Sequence, residues 1–162
     1  MFIKITTSIL AIFFILFSSN VLAYNQQLAE SYYKLFQPVA GAKLGKGLHL
    51  MTPEVFMNNL KTGKHMVTLD VRTPAEAGVF SISLPGSLTI PANELFSHSN
   101  LKKLPVNTPL VVIYKSGVRA VTMGTALRHI GFRNVSILKG GIHALSAYLD
   151  PKVANMPVKD KK

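Results

Sequence analysis

The sequence contains no cysteine among its 162 residues. This absence excludes disulfide bonds, thiolate metal sites and any reaction that proceeds through a thiol of this chain. Tryptophan is also absent, and acidic residues are scarce: 7 aspartates and glutamates accompany 18 lysines and arginines, for a formal net charge of +11. Such a balance favours anionic partners, among them small oxyanions, acidic proteins and lipid headgroups.

Only one long hydrophobic run occurs, and it lies at the N-terminus. Lys4 precedes apolar residues 9–17, and Val21, Leu22 and Ala23 follow. A positive start, an apolar stretch and a small-residue end are typical of a signal peptide. We therefore expect residues 1–23 to be cleaved after Ala23, leaving a periplasmic or secreted protein with no stable membrane anchor. The alternative, an uncleaved anchor, is disfavoured because crossing a bilayer takes about 20 residues.

Removal of residues 1–23, which hold one lysine and no acid, lowers the net charge only from +11 to +10. The partner expected from this charge is a small oxyanion or an acidic protein. Nucleic acid is not expected, because an exported protein rarely meets it. Residues 24–47 predict an N-terminal extension with a helix from Leu28 to Phe36 and a glycine-rich loop. Residues 151–162 predict a basic, solvated C-terminal tail.

Between residues 48 and 150, strand-like apolar segments alternate with helix-start signals. Thr52 and Thr73 are each followed by proline and have an acidic residue within the next three positions, as at helix N-termini. Four segments predict strands: residues 66–69, 88–90, 110–113 and 135–138. Further helices are expected from residues 116–119 through Ile130, and from the Gly140-Gly141 pair to near Tyr148. This alternation implies a parallel sheet with helices on both faces, and ligands bind such sheets at the carboxyl ends of the strands.

The turn after strand 110–113 is the strongest candidate site. Its backbone amides and the following helix N-terminus favour an anion, and Arg119 can offer two parallel hydrogen bonds to an oxyanion. The alternative is an ordinary turn in which Arg119 forms a structural salt bridge, for example with Asp70. The predicted anion-binding loop consists of Tyr114, Lys115, Ser116, Gly117, Val118 and Arg119.

Four motifs, in this order along the chain, resemble those of rhodanese-like domains. They are Asp70-Val71-Arg72-Thr73-Pro74-x-Glu76, Leu84-Pro85-Gly86-Ser87-Leu88-Thr89-Ile90-Pro91, Gly131-Phe132-x-Asn134-Val135 and Leu138-x-Gly140-Gly141-Ile142-x-Ala144. The resemblance implies an α/β fold with a five-stranded parallel sheet flanked by helices on both faces, over residues 48–150. The sequence departs from the family at Leu145, where a tryptophan is usual, and in a longer stretch between Glu76 and Pro85.

In the family, the loop reads Cys-x-Ser-Gly-x-Arg, and its cysteine carries sulfur as a persulfide. Alignment without a gap places Tyr114 at the cysteine position. The resemblance therefore implies that the anion-binding loop is retained but lacks the cysteine nucleophile. A one-residue deletion would place Lys115 there instead, although the spacing from the strand to Arg119 argues against it. Tyrosine cannot hold a persulfide, and nothing in the sequence suggests an amine-based reaction of Lys115.

Five further residues are predicted to line the pocket: Asp70, Arg72, Gly140, Gly141 and His143. For Asp70 and Arg72, an ion pair that holds the turns together is the favoured alternative. No cofactor is expected, and no metal site, because the remaining histidines lack metal-ligand spacing.

The sequence is compatible with three functions. The first is a non-catalytic binding module for a small oxyanion, such as a sulfur oxyanion, or for a protein partner. The second is a sulfurtransferase-related enzyme that uses an unrecognised residue or a partner's thiol. The third is a structural subunit in which Tyr114 fills the pocket.

Overall fold

The computed structural model describes residues 24–38, 41 and 47–154. The expected signal peptide and residues 155–162 of the expected tail lie outside the described residues. The described residues fall into two units, of which the first ends at Lys34 and the second begins at Leu35. Helix α1 (Gln26–Phe36) begins two residues earlier than expected. The side chain of Asn25 explains the difference, because its Oδ1 accepts a hydrogen bond from the Leu28 N–H at 2.9 Å and so caps the first turn.

Five parallel strands form one sheet, which confirms the predicted fold. The strands are β1 (Leu50–Met51), β2 (Val67–Asp70), β3 (Leu88–Thr89), β4 (Leu110–Ile113) and β5 (Val135–Leu138). Their order across the sheet is β1-β5-β4-β2-β3. Strand β1 has only two residues, too few for an apolar pattern, and its pairing with β5 makes it a strand. The predicted strand at 66–69 is shifted by one residue, because the ladder with β4 begins at Val67 and continues to Asp70.

Strand β4 separates two hydrophobic cores. Leu110 and Val112 belong to one core, and the intervening Val111 and Ile113 belong to the other. All four side chains are at most 1% exposed. An uninterrupted apolar strand therefore marks a sheet with both faces covered, as predicted from the sequence.

Helices cover both faces of the sheet. From Thr52 onward, the helices are α2 (Pro53–Lys61), α3 (Pro74–Val79), α4 (His98–Leu101), α5 (Val118–His129), α6 (Gly141–Tyr148) and α7 (Pro151–Ala154). Helix α5 contributes Ala120 and Leu127 to the first core, whereas α2 and α6 contribute Phe56 and Leu145 to the second. Among the described residues, no helix has both the length and the apolar character needed to cross a membrane.

Local capping chemistry sets the starts of α2 and α3 where the sequence indicated. The Thr52 hydroxyl accepts a hydrogen bond from the Val55 N–H, and Thr73 and Glu76 form a reciprocal capping box. Two four-residue helices, α4 and α7, were not predicted, because a single turn has no readable periodicity. Helix α7 occupies the first four positions of the segment expected to be a solvated tail.

Candidate functional site

Helix α6 holds the loop that follows β4. The backbone N–H of Ile142 donates to the Tyr114 carbonyl at 2.9 Å, and the N–H of His143 donates to the Lys115 carbonyl at 3.0 Å. Gly141 makes this approach possible: its φ is +61°, and a Cβ atom there would lie 2.0 Å from the Tyr114 carbonyl oxygen. The structure thus brings together the loop and the glycine pair that the sequence singled out.

The same loop leaves a run of backbone donors unused. Within the part of the chain that the structure describes, the N–H groups of residues 115–120 have no hydrogen-bond acceptor. Gly117, with φ of +98°, is the N-cap of the twelve-residue helix α5 and supplies no side-chain cap. Consecutive free amides at the positive end of a helix dipole can bind an anion.

Tyr114 contacts both the first core and Arg119. Its side chain is half-buried and packs against the first core. The Arg119 guanidinium carbon lies over the ring, 4.3 Å from the ring centroid and within cation–π range. Tyr114 therefore has a packing role in the loop, and its ring supports the guanidinium that the sequence assigned to the anion site.

Arg119 also forms an ion pair, but with a different partner from the one considered above. Its Nη1 lies 3.8 Å from Oε2 of Glu76, not beside Asp70. Both side chains are 38% exposed. An ion pair this long and this exposed is weak because solvent screens it, so Arg119 can exchange it for a stronger anion at little cost.

Glu76 is fixed mainly by the capping box of α3. Its Oε2 accepts hydrogen bonds from the Thr73 backbone N–H at 2.8 Å and from the Thr73 hydroxyl at 2.9 Å. These bonds hold the pKa of Glu76 below its ordinary value, and the charges of Arg119 and Arg72 lower it further. Glu76 thus presents a negative charge to Arg119 at neutral pH. The capping motif was visible in the sequence, but its contact with Arg119 was not.

Asp70 and Arg72 form a buried ion pair rather than a solvent-facing pocket wall. Arg72 Nη2 lies 2.6 Å from Asp70 Oδ2, and Arg72 Nε bonds both carboxylate oxygens. The guanidinium also donates to the carbonyls of Glu76 and Phe80. The hydrogen bonds to Asp70 raise the pKa of Arg72 above its ordinary value. This geometry favours the structural interpretation, since the buried pair connects the end of β2 to α3.

The other predicted site residues lie at the rim of the loop. Lys115, Ser116, Val118 and His143 are exposed, and Gly140 is half-buried. Leu145, at the position of the family's usual tryptophan, is buried in the second core and does not reach the rim. Among the described residues, no group of three or more histidine, aspartate or glutamate side chains is arranged to hold a metal ion.

A cavity of about 190 Å³ adjoins the loop. Sequence reasoning missed most of its wall, because the contributing residues are distant along the chain and the strand that carries Leu50 was not predicted. The lining residues are Leu50, Ser116, Gly117, Val118, Val121, Ile137, Leu138, Lys139 and Gly140.

The amino-acid sequence is similar to those of known proteins. The rhodanese-like domain family matches residues 52–148. The chain is also 31% identical over 110 residues to a probable adenylyltransferase/sulfurtransferase, MoeZ, of Mycobacterium tuberculosis. That alignment covers 68% of this chain and 27% of the relative, so the chain spans about a quarter of the length of the curated relatives it matches.

The fold is also similar to those of solved structures. A rhodanese-related protein from Thermoplasma volcanium is similar with a TM-score of 0.53 and 28% identity, over 61% of this chain and 91% of that one. The rhodanese-like domain of the Alr3790 protein from Anabaena has a TM-score of 0.55 and 21% identity, over 70% of this chain and 87% of that one. The second likeness supports the fold alone.

Proposed function

The chain belongs to the rhodanese-like domain family, which is related to sulfurtransferases, and we propose that it binds a small oxyanion, such as a sulfur oxyanion, without transferring sulfur itself. The absence of cysteine supports the second half of this proposal. Sulfur transfer in this family passes through a cysteine persulfide, and this sequence contains no thiol to form one.

The run of free amides after β4 carries the first half of the proposal. Residues 115–120 offer backbone donors with no acceptor in the described chain, at the N-terminus of α5. In the family this loop cradles a sulfur-bearing thiolate, so a negatively charged oxygen is the natural occupant of the same donors. Hydrogen bonds from backbone amides to an ionised acceptor are among the stronger ones in proteins.

Arg119 is proposed as the cationic partner of the bound anion. Its guanidinium is stacked on Tyr114 and only loosely paired with Glu76, so it can reorient toward an anion on the loop. Glu76 competes for the same guanidinium, and the Tyr114 ring occupies space beside the loop. We therefore expect weak binding, with a dissociation constant on the order of millimolar, which corresponds to about 4 kcal/mol.

A titration tests the proposal. Thiosulfate and sulfate are added at constant ionic strength, and backbone amide chemical shifts are followed by NMR. We expect the amides of Ser116 and Gly117 to shift with saturation. Arg119→Ala should weaken binding about tenfold, because a hydrogen bond to a charged group contributes roughly 1.5–3 kcal/mol.

The matched control is Arg133→Ala, which removes the same charge from an exposed position beyond the far end of α5. It should bind both anions like the unsubstituted protein. If the Ser116 and Gly117 amides do not shift, or if both variants bind equally, the loop is not an anion site. Tyr114 is then a pocket-filling residue of a structural subunit.

We further propose that the protein acts outside the cytoplasm. The support is the N-terminal pattern of Lys4, residues 9–17 and Ala23.

An acidic protein partner is the alternative ligand for a chain of this charge, and it would contact the rim formed by Lys115 and His143.

A further inference from the structure

The cavity beside the loop differs in character from the loop itself. Its lining includes the apolar residues Leu50, Val121, Ile137 and Leu138. It also includes Ser116 in the loop and Lys139 directly after β5. Ile137 and Leu138 are fully buried, so this part of the wall is set by the core packing. The cavity is thus lined mainly by apolar residues, and it borders the proposed anion site at the residues of the loop.

The cavity and the loop share three consecutive residues, Ser116, Gly117 and Val118. An anion bound to the amides of these residues would lie next to the cavity. Inorganic sulfate has no group to place there. On the basis of the proposed oxyanion site, we propose that the ligand is an organic oxyanion whose compact apolar group occupies this cavity while its anionic group binds the loop.

The volume limits the size of that apolar group. Drug-sized ligands fill pockets of roughly 300–1,000 Å³, whereas an apolar cavity of about 150 Å³ in another protein accommodates benzene. A space of about 190 Å³ therefore fits one small ring or a short branched chain. The charge of the exposed Lys139 favours an anionic head over a neutral or cationic one.

Two sulfonates with the same head group and charge test the proposal: benzenesulfonate and methanesulfonate. We expect benzenesulfonate to bind at least about tenfold more tightly, since burying a ring removes much more apolar surface from water than burying a methyl group. In the unsubstituted protein, ring protons of bound benzenesulfonate should show NOEs to the methyl groups of Leu50 and Val121.

Val121→Phe should reduce the preference for benzenesulfonate, because Val121 is half-buried in the cavity wall and a larger side chain occupies the space. Val106→Phe is the matched control. Val106 is 75% exposed and precedes β4, whereas the loop follows that strand, and Val106 does not line the cavity. This variant should keep the full preference for benzenesulfonate.

The outcomes separate the two proposals. If neither sulfonate, nor sulfate, nor thiosulfate shifts the loop amides, the oxyanion site itself is wrong. If both sulfonates shift these amides with equal affinity and no NOE reaches Leu50 or Val121, the oxyanion site stands and the organic ligand is wrong. The NOE measurement needs no variant, so the inference can be contradicted even if Val121→Phe does not fold.

Discussion

Tyr114 replaces the reactive residue of the loop, but the backbone contacts that position the loop remain. Its ring packs against the first core and supports the Arg119 guanidinium, so the substitution of tyrosine for the family's cysteine is accommodated by packing. The carbonyl of Tyr114 accepts a hydrogen bond from Ile142, an interaction that does not depend on the side chain. A thiol introduced at this position would therefore lie beside the same free amides.

This geometry predicts that Tyr114→Cys acquires sulfur-acceptor chemistry that the natural chain lacks. The new thiolate should attack the sulfane sulfur of thiosulfate, release sulfite and retain a persulfide stabilised by the loop amides. Mass spectrometry should detect the addition of one sulfur atom, and cyanide should remove it as thiocyanate.

The unsubstituted protein should show no sulfurtransferase or phosphatase turnover above a denatured control, because it has no thiol. Val106→Cys provides a matched thiol at an exposed position away from the loop. If Tyr114→Cys reacts no faster than Val106→Cys, the loop does not stabilise a persulfide. Turnover by the unsubstituted protein would reveal a nucleophile that we have not identified.

At the scale of elements, the contact between α6 and the loop depends on a single glycine. A Cβ atom at position 141 would meet the carbonyl oxygens of Tyr114 and Lys115 at 2.0 and 2.7 Å. Both carbonyls also accept hydrogen bonds from α6, so neither can move away freely. The steric limit at Gly141 therefore sets how closely the helix approaches the loop.

Gly141→Ala should consequently destabilise the protein more than an alanine at a glycine with similar backbone geometry. Gly63 is the control, since its φ of +74° matches but nothing lies within 4 Å of its Cβ position. We expect a cost of about 1 kcal/mol for Gly63→Ala and about 1–3 kcal/mol more for Gly141→Ala. Urea unfolding followed by circular dichroism measures both, and equal costs would contradict the steric role of Gly141.

The start of α3 should make stability depend on pH. The Thr73 hydrogen bonds hold the pKa of Glu76 below the value of 4.5 that it has when exposed to water. The unfolded chain therefore takes up this proton more readily than the folded one. The stabilisation is complete above about pH 4.5 and is lost as the pH falls through the lower pKa of the folded state.

Glu76→Gln removes this titration while keeping a side chain that can accept a hydrogen bond. The difference in unfolding free energy between the unsubstituted protein and Glu76→Gln should narrow as the pH is lowered from about 6 to about 3. Glu54→Gln, in the first turn of α2, is the control for loss of a helix-start charge. A difference for Glu76→Gln that stays constant with pH would show that its titration is not linked to folding.

At the scale of the whole molecule, the excess of positive charge favours anions whether or not residues 1–23 are removed. Loss of residues 1–23 would leave a net charge of +10, which raises the local concentration of anions around the protein. This effect is independent of the loop geometry and weakens with added salt, so it supports binding without determining the ligand.

We predict that the exported protein begins at or near Tyr24. N-terminal sequencing of the periplasmic or secreted fraction of an expressing bacterium tests this. Phe13→Arg should retain the precursor in the cell, because it places a charge in the apolar stretch that export requires. Recovery of the unsubstituted protein with Met1 intact in a membrane fraction would show instead that the segment is an anchor.

The family, the absence of cysteine and most of the order of strands and helices could be read from the amino-acid sequence alone. Motifs such as Leu138-x-Gly140-Gly141 and the caps at Thr52 and Thr73 are local, so neighbouring residues are enough to reveal them. The apolar strand 110–113 likewise indicated a sheet covered on both faces. The loop residues were also identifiable, because they directly follow that strand.

The pairing of these residues, by contrast, became visible only in the folded chain. There, Arg119 forms an ion pair with Glu76 and a cation–π contact with Tyr114. Asp70 and Arg72 form a buried ion pair. Folding also creates a cavity between Leu50 and Val121, which are distant in sequence. Such contacts depend on how strands and helices pack, and a two-residue strand or a shared guanidinium has no local pattern from which it could be read.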